Sequence, residues 1–114
     1  MAIPERRKER FLRDPLSIRL GGIAADLARV SSCAQHEGSN DTVAMMLEES
    51  QWFIEWTAAE AEIAAELVDI QVLIALWRRA WPEVQHQRMQ RTILAVQAKK
   101  WSDQVLDYSG LLDA

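Results

Sequence analysis

One stretch limits the possible folds more than any other: the run AEIAAELVDIQVLIALWRRAW, residues 61–81. No Gly or Pro interrupts it, and most of its residues favour helix. Its first two thirds are polar only at the start and at Glu66, Asp69 and Gln71, so the helix is apolar around most of its circumference. A helix of this kind is typical of a protein interior. We therefore predict that it lies at the centre of the fold.

The composition predicts a single helical domain in the cytoplasm. The chain has 114 residues, of which 49% are hydrophobic, and this length is sufficient for one core. No apolar run approaches the length of a membrane span, and the charged start MAIPERRKERF lacks the apolar segment of a secretory signal. The lone Cys33 cannot form an internal disulfide, which fits a reducing compartment. A pI of 5.1 argues against dedicated nucleic-acid binding.

Turn signals divide the chain into an arm and a bundle. Residues 1–14 are highly charged and predict a short arm whose apolar residues, Phe11 and Leu12, dock on the body. Asp14-Pro15 supplies an N-cap and a first helical residue for a helix that runs to about residue 35. Its apolar residues recur at alternate steps of four and three, which predicts a seam against a partner helix. These residues are Leu16, Leu20, Ile23, Leu27, Val30 and Ala34.

A second stripe on the same helix consists of small residues, and it predicts close approach of another helix. The stripe contains Gly21, Ala25, Ala28 and Ser32. Glycine inside a helix costs roughly 1 kcal/mol relative to Ala, so Gly21 and Gly22 call for such a packing reason.

The remaining segments predict three more helices. The turn HEGSN precedes a helix over about residues 41–56, the apolar run follows, and Pro82 starts a last helix towards Tyr108. A capping box at Thr57 to Glu60 favours a break between the second and third helices, although one continuous helix is the alternative. We predict an all-α antiparallel bundle of four main helices over residues 15–114, with the N-terminal arm.

The second helix has apolar residues on two sides. One side continues the core, while Met45, Trp52 and Trp56 fall on nearly the opposite side at 100° per residue. A helix that is apolar on two sides is buried on both, within its own domain or against another subunit. We predict a homodimer or other homo-oligomer with these three residues at the interface, or contact with another protein.

Four carboxylates form the candidate functional site. If the second and third helices form a hairpin that turns near Ala59, Glu48 and Glu49 come close to Glu66 and Asp69. Carboxylates that converge from two helices repel each other unless a cation lies between them. Oxygen ligands of this kind suit Mg²⁺ holding a phosphate.

The segments LEESQ and AAELVDIQVLI resemble the MazG-type all-α nucleoside triphosphate pyrophosphohydrolases. That family pairs an EExxE helix with an ExxD helix around Mg²⁺ and cleaves a nucleoside triphosphate to the monophosphate and pyrophosphate. The resemblance implies that Glu48 and Glu49 match the first motif and that Glu66 and Asp69 match the second. Trp52 stands where the third Glu of the first motif belongs. As a whole, with WFIEWTA and ALWRRAW, the chain resembles small all-helical bacterial proteins without an assigned activity.

The alternative for the buried carboxylates is structural. Glu66 and Asp69 then pair with arginines from the last helix, or with Arg19 and Arg29, because an unpaired buried carboxylate costs several kcal/mol. This alternative is the one we favour. The leading functional hypothesis is a homo-oligomeric interaction protein without a cofactor, and the alternative is a divergent Mg²⁺-dependent pyrophosphohydrolase.

Overall fold

The computed structural model describes residues 5–59 and 64–110, and every regular element in these ranges is helical. The all-α prediction is confirmed. The elements are α1 (Glu5–Leu12), α2 (Leu16–Ala34), a 3₁₀ turn (Glu37–Ser39), α3 (Asn40–Ala58), α4 (Ala64–Val84) and α5 (Arg88–Ser109). Glu60 of the predicted capping box and the first residues of the apolar run, 61–63, lie outside the described residues.

Helix α2 forms the middle of the core. It packs extensively against both α3 and α5, and it buries the predicted seam from Leu20 to Ala34. Two serines fix the crossing of α2 and α5: the Ser31 hydroxyl donates to the carbonyl of Ala95 at 2.7 Å, and the Ser102 hydroxyl donates to the carbonyl of Ala24 at 2.7 Å. Small side chains at this crossing let the two backbones approach closely.

The predicted small-residue stripe on α2 does not serve this purpose. Ala25, Ala28 and Ser32 are exposed, and a Cβ added to Gly22 would meet no atom within 4 Å. The close approach instead uses the seam itself, where Ala24 and Ser31 face α5. The prediction was wrong because small residues lie on both sides of this helix.

Helix α4 is not the centre of the fold. It packs against α3, contacts α5 only slightly, and leaves much of its apolar surface exposed. Its packing against α3 confirms that the two helices are separate and form a hairpin. The capping-box prediction was wrong, since Thr57 lies buried inside α3.

Two helix boundaries in the C-terminal part of the chain also differ from the predicted ones. Helix α4 continues through Pro82 to Val84, and the last helix begins only at Arg88. Helix α5 then runs continuously to Ser109, and the Ser102 hydroxyl within it bonds to α2. Gly110 ends α5 in the left-handed conformation, with φ 73°, as a C-terminal glycine commonly does.

Candidate interaction surface and polar clusters

The outer face of α4 is the largest departure from the expected burial pattern. Val68, Val72, Leu73 and Leu76 are exposed by 42, 54, 42 and 59%. We call these four residues the α4 outer face. Successive members lie within one or two helical turns of each other, so they form one continuous apolar strip. Large apolar strips on a protein surface mark sites of interaction.

The strip coexists with a well-packed inner face on the same helix. Leu67, Ile70 and Ile74 are at most 4% exposed and contribute to the core. The Trp77 indole N–H donates to Gln97 Oε1 at 2.8 Å, and the Trp81 indole N–H donates to the carbonyl of Asn40 at 3.0 Å. The orientation of α4 is therefore fixed from inside, and its outer apolar residues have no role in the core.

Further exposed apolar residues lie elsewhere. On α5, Met89, Ile93 and Val96 are exposed by 75, 38 and 65%, and on α3 Met45 is exposed by 55%. Met45 is thus available for the interface that the sequence predicts.

The two tryptophans predicted with Met45 have neighbours within their own chain. Phe11 of α1 stacks on Phe53 with ring centroids 4.2 Å apart, and it lies 5.8 Å from Trp56. Trp52 packs beside Trp56 at 6.0 Å. This aromatic side of α3 receives the N-terminal arm. The predicted docking is confirmed for Phe11, whereas Leu12 is 38% exposed. An interface through Trp52 and Trp56 stays a prediction.

The four predicted metal ligands lie in three different environments. Glu49 pairs with Arg7 of α1, and Glu48 lies 3.5 Å from Arg78. Glu66 and Asp69 are exposed on α4, and neither forms an ion pair within the described residues, so the predicted pairing with arginines is wrong. Their exposure follows from the position of α4 at the edge. No three His, Cys, Asp or Glu side chains in ranges 5–59 and 64–110 are grouped so as to hold a metal ion. The pyrophosphohydrolase hypothesis stays a prediction.

Glu49 also interacts with Asp26 of α2, a contact that the sequence did not predict. The pKa of Asp26 is raised to about 7, chiefly by burial and then by the negative charge and hydrogen bond of Glu49, while the charges of Arg7 and Arg29 act to lower it. A hydrogen bond between two carboxyl groups requires a shared proton. Asp26 Oδ2 has no hydrogen-bond partner among the described residues. The pair is therefore incompletely compensated.

A buried cation, Arg91, was also missed. It is 4% exposed, and its guanidinium donates to main-chain carbonyls, including Ala34 at 2.8 Å and Gln85 at 2.9 Å, and to the side chain of Asn40. Its Cζ lies 5.3 Å from the centroid of the Trp81 ring. The carbonyls at the end of α2 lack partners within that helix and carry the negative end of its dipole. Arg91 satisfies them and joins α2, α3 and α5.

An open cavity of about 820 Å³ lies beside Arg91, between α2 and α5. Its lining includes small side chains such as Ser31 and Ala95, the basic Arg88 and Lys99, and the acidic Glu37. Lys99 is already paired with Asp103 at 2.6 Å. The cavity thus has mixed charge, and its lining among the described residues includes no buried polar side chain without a partner.

Comparison with known proteins yields no relative: no protein-family model matches the chain, and no curated protein or solved structure does. Among the described helices, none combines the length and apolar character needed to cross a membrane. The functional argument therefore depends on the surface and on the polar clusters.

Proposed function

We propose that this protein acts as a homo-oligomeric interaction protein and that it self-associates through the α4 outer face. The observation that carries the proposal is the exposure of four large aliphatic side chains on one face of a helix whose other face is fully packed. Fully burying one such side chain is favourable by about 1.5–3 kcal/mol relative to leaving it exposed. Burial of the strip in an interface would therefore favour association.

A second copy of the chain is the occupant that this face fits best. A two-fold axis places the same strip on both partners, and a single apolar strip then becomes self-complementary. The charges around the strip agree with this arrangement, because the acidic Glu66 and Asp69 lie near its start on α4 and Arg79 follows it. A strip with charges of one sign would repel its own copy.

The scaffold for this function is, in our proposal, an antiparallel bundle of α2 to α5 with α1 as an arm, acting in the cytoplasm without a cofactor. The α3–α4 hairpin and the serine bonds between α2 and α5 support the bundle. The N-terminal arm supports it by covering the aromatic side of α3. Among the described helices, α4 then has the most large apolar residues exposed, four against three on α5.

Sedimentation velocity over a range of protein concentrations tests the proposal. We expect a dimer whose population rises with concentration, and Val72→Asp should raise its dissociation constant by about tenfold or more, because a carboxylate would be buried in the interface. Val96→Asp is the matched control, since it makes the same change at a similarly exposed site on α5. Circular dichroism should show both variants folded. A wild-type chain that stays monomeric throughout, or equal effects of the two substitutions, would overturn the proposal.

A further inference from the structure

The exposed side of α4 carries a regular seam as well as an apolar strip. Six exposed residues recur along it at alternate steps of four and three, which is the spacing of a helix that pairs with another helix. They are Ala65, Asp69, Val72, Leu76, Arg79 and Glu83. We call this set the outer seam, and Val68 and Leu73 of the α4 outer face flank it.

The order of residues in the outer seam is symmetric about position 74. Asp69 and Arg79 lie five residues on either side of this position, and Val72 and Leu76 lie two residues on either side. Position 74 is also the midpoint of α4, which runs from Ala64 to Val84. A two-fold axis at this point therefore aligns two copies of the helix along their whole length.

We infer that two copies pair through α4 in an antiparallel manner, so that Asp69 of one copy meets Arg79 of the other and Val72 packs against Leu76. This inference rests on the proposed function and specifies the partner, its direction and its register. Two symmetric ion pairs then flank an apolar centre.

The state of the two charged residues supports this register. Within the described residues, neither Asp69 nor Arg79 has an ion-pair partner, and both are exposed. The adjacent Arg78 differs, because it donates to Gln51 at 3.0 Å and lies near Glu48. The arginine that faces α3 is used within the chain, and the arginine on the outer seam is available for a partner.

The charges also select the direction of pairing. In a parallel pair, Asp69 would face Asp69 and Arg79 would face Arg79, and like charges at facing positions are unfavourable. In the antiparallel pair every one of these contacts joins opposite charges. Register is likewise selected, since a shift by one turn moves Asp69 away from Arg79 and places it against the apolar Leu76 or against the acidic Glu83.

A charge-exchange experiment on the full chain tests the inference. Asp69→Arg places two arginines opposite each other twice in the dimer, and Arg79→Asp does the same with two aspartates. Each variant alone should therefore dimerise about tenfold more weakly than the wild type. An equimolar mixture of the two variants should recover dimers, because every facing pair then joins Arg with Asp. The double variant should also return to near wild-type affinity.

The controls are Asp107→Arg and Lys100→Asp, which make equivalent charge changes at exposed sites on α5. Neither should alter dimerisation. Sedimentation velocity measures affinity, and an affinity tag on one variant reports mixed dimers by co-purification. Weakened single variants that recover on mixing support the inference.

Failure of this inference differs from failure of the proposed function. If the wild type dimerises and Val72→Asp weakens the dimer, but both single charge variants bind normally, the α4 interface stands and the antiparallel register is wrong. The register is equally wrong if the single variants weaken but their mixture does not recover. A wild type that never dimerises overturns both.

Discussion

Two charged clusters inside this small helical protein are stabilised to very different extents. Arg91 is almost fully buried, yet oriented carbonyl groups and the Trp81 ring surround its guanidinium. Asp26 is less buried, but it interacts with another carboxylate, Glu49, and the pKa of Asp26 is raised to about 7. The difference shows that burial alone does not set the cost of a charge. The orientation of the surrounding dipoles and charges contributes as well.

The two clusters also differ in how their buried charges are stabilised. The end of helix α2 supplies a fixed cluster of acceptors that exists whenever the helix forms, so Arg91 needs no carboxylate. The Asp26–Glu49 pair instead depends on Arg7, a half-exposed residue of the short helix α1. The first arrangement is built into the core, and the second depends on a peripheral contact.

The largest effect should follow removal of the Arg91 guanidinium. In Arg91→Met, the carbonyls of Ala34 and Gln85 lose a charged donor, and we expect a loss of about 3–5 kcal/mol in the free energy of unfolding. Urea denaturation measures this loss. Arg88→Met is the matched control, since Arg88 is exposed near the start of the same helix and should change stability by less than about 0.5 kcal/mol. Equal effects of the two substitutions would contradict the compensation by carbonyls.

A smaller effect, of opposite sign, should follow Asp26→Asn. The pKa of Asp26 is about 7 in the folded protein and near 3.8 in the unfolded chain, so the folded state binds the proton more tightly. Stability associated with this group is therefore lost as pH rises from about 4 through 7. Asn removes the titration and can donate to Glu49 at any pH. Because Asp26 is only partly buried, we expect a gain on the order of 2 kcal/mol at pH 8 and little change at pH 4.

Urea denaturation at several pH values measures that gain. Asp103→Asn is a suitable control, since Asp103 is exposed and pairs only with Lys99, and its effect should vary much less with pH. A gain for Asp26→Asn that is the same at pH 4 and pH 8 would show that the titration of Asp26 does not control stability.

The smallest effect on stability should follow Arg7→Ala. Its ion pair with Glu49 is half-exposed, so we expect a loss of about 1 kcal/mol or less. Its charge lowers the pKa of Asp26, and removal should therefore raise that pKa further. A carbon-detected NMR titration of the Asp26 carboxyl group measures the change. Arg6→Ala, which alters an exposed neighbour on α1, should leave the pKa unchanged; if it raises the pKa as much, the specific contact with Arg7 is not responsible.

The sequence predicts the helical class and the α2 seam because both depend on local composition and on a regular period. It does not predict the position of α4. A helix that is apolar around most of its circumference has no pattern that identifies its inner side. The prediction that Glu66 and Asp69 are buried depends on the whole helix being buried. Once α4 lies at the edge, both carboxylates are exposed and need no partner.

The polar clusters were missed for a different reason. Asp26 is a single acid between Ala25 and Leu27 on a largely apolar helix, and its isolation was the available signal. Arg91 gave none, because it lies in the polar segment EVQHQRMQR and its partners are mostly main-chain carbonyls. Carbonyl groups are present at every residue, so only the assembled fold reveals which of them converge.

The serine bonds between α2 and α5 have a consequence for how the chain folds. They join residues that are 64 and 78 positions apart, and these two helices also share the most extensive packing. The α3–α4 hairpin, by contrast, forms between neighbours in the sequence. Closing a long loop costs entropy before its contacts can compensate. The α3–α4 hairpin can therefore form first. The pairing of α2 with α5, which builds the centre of the protein, brings together residues far apart in the sequence.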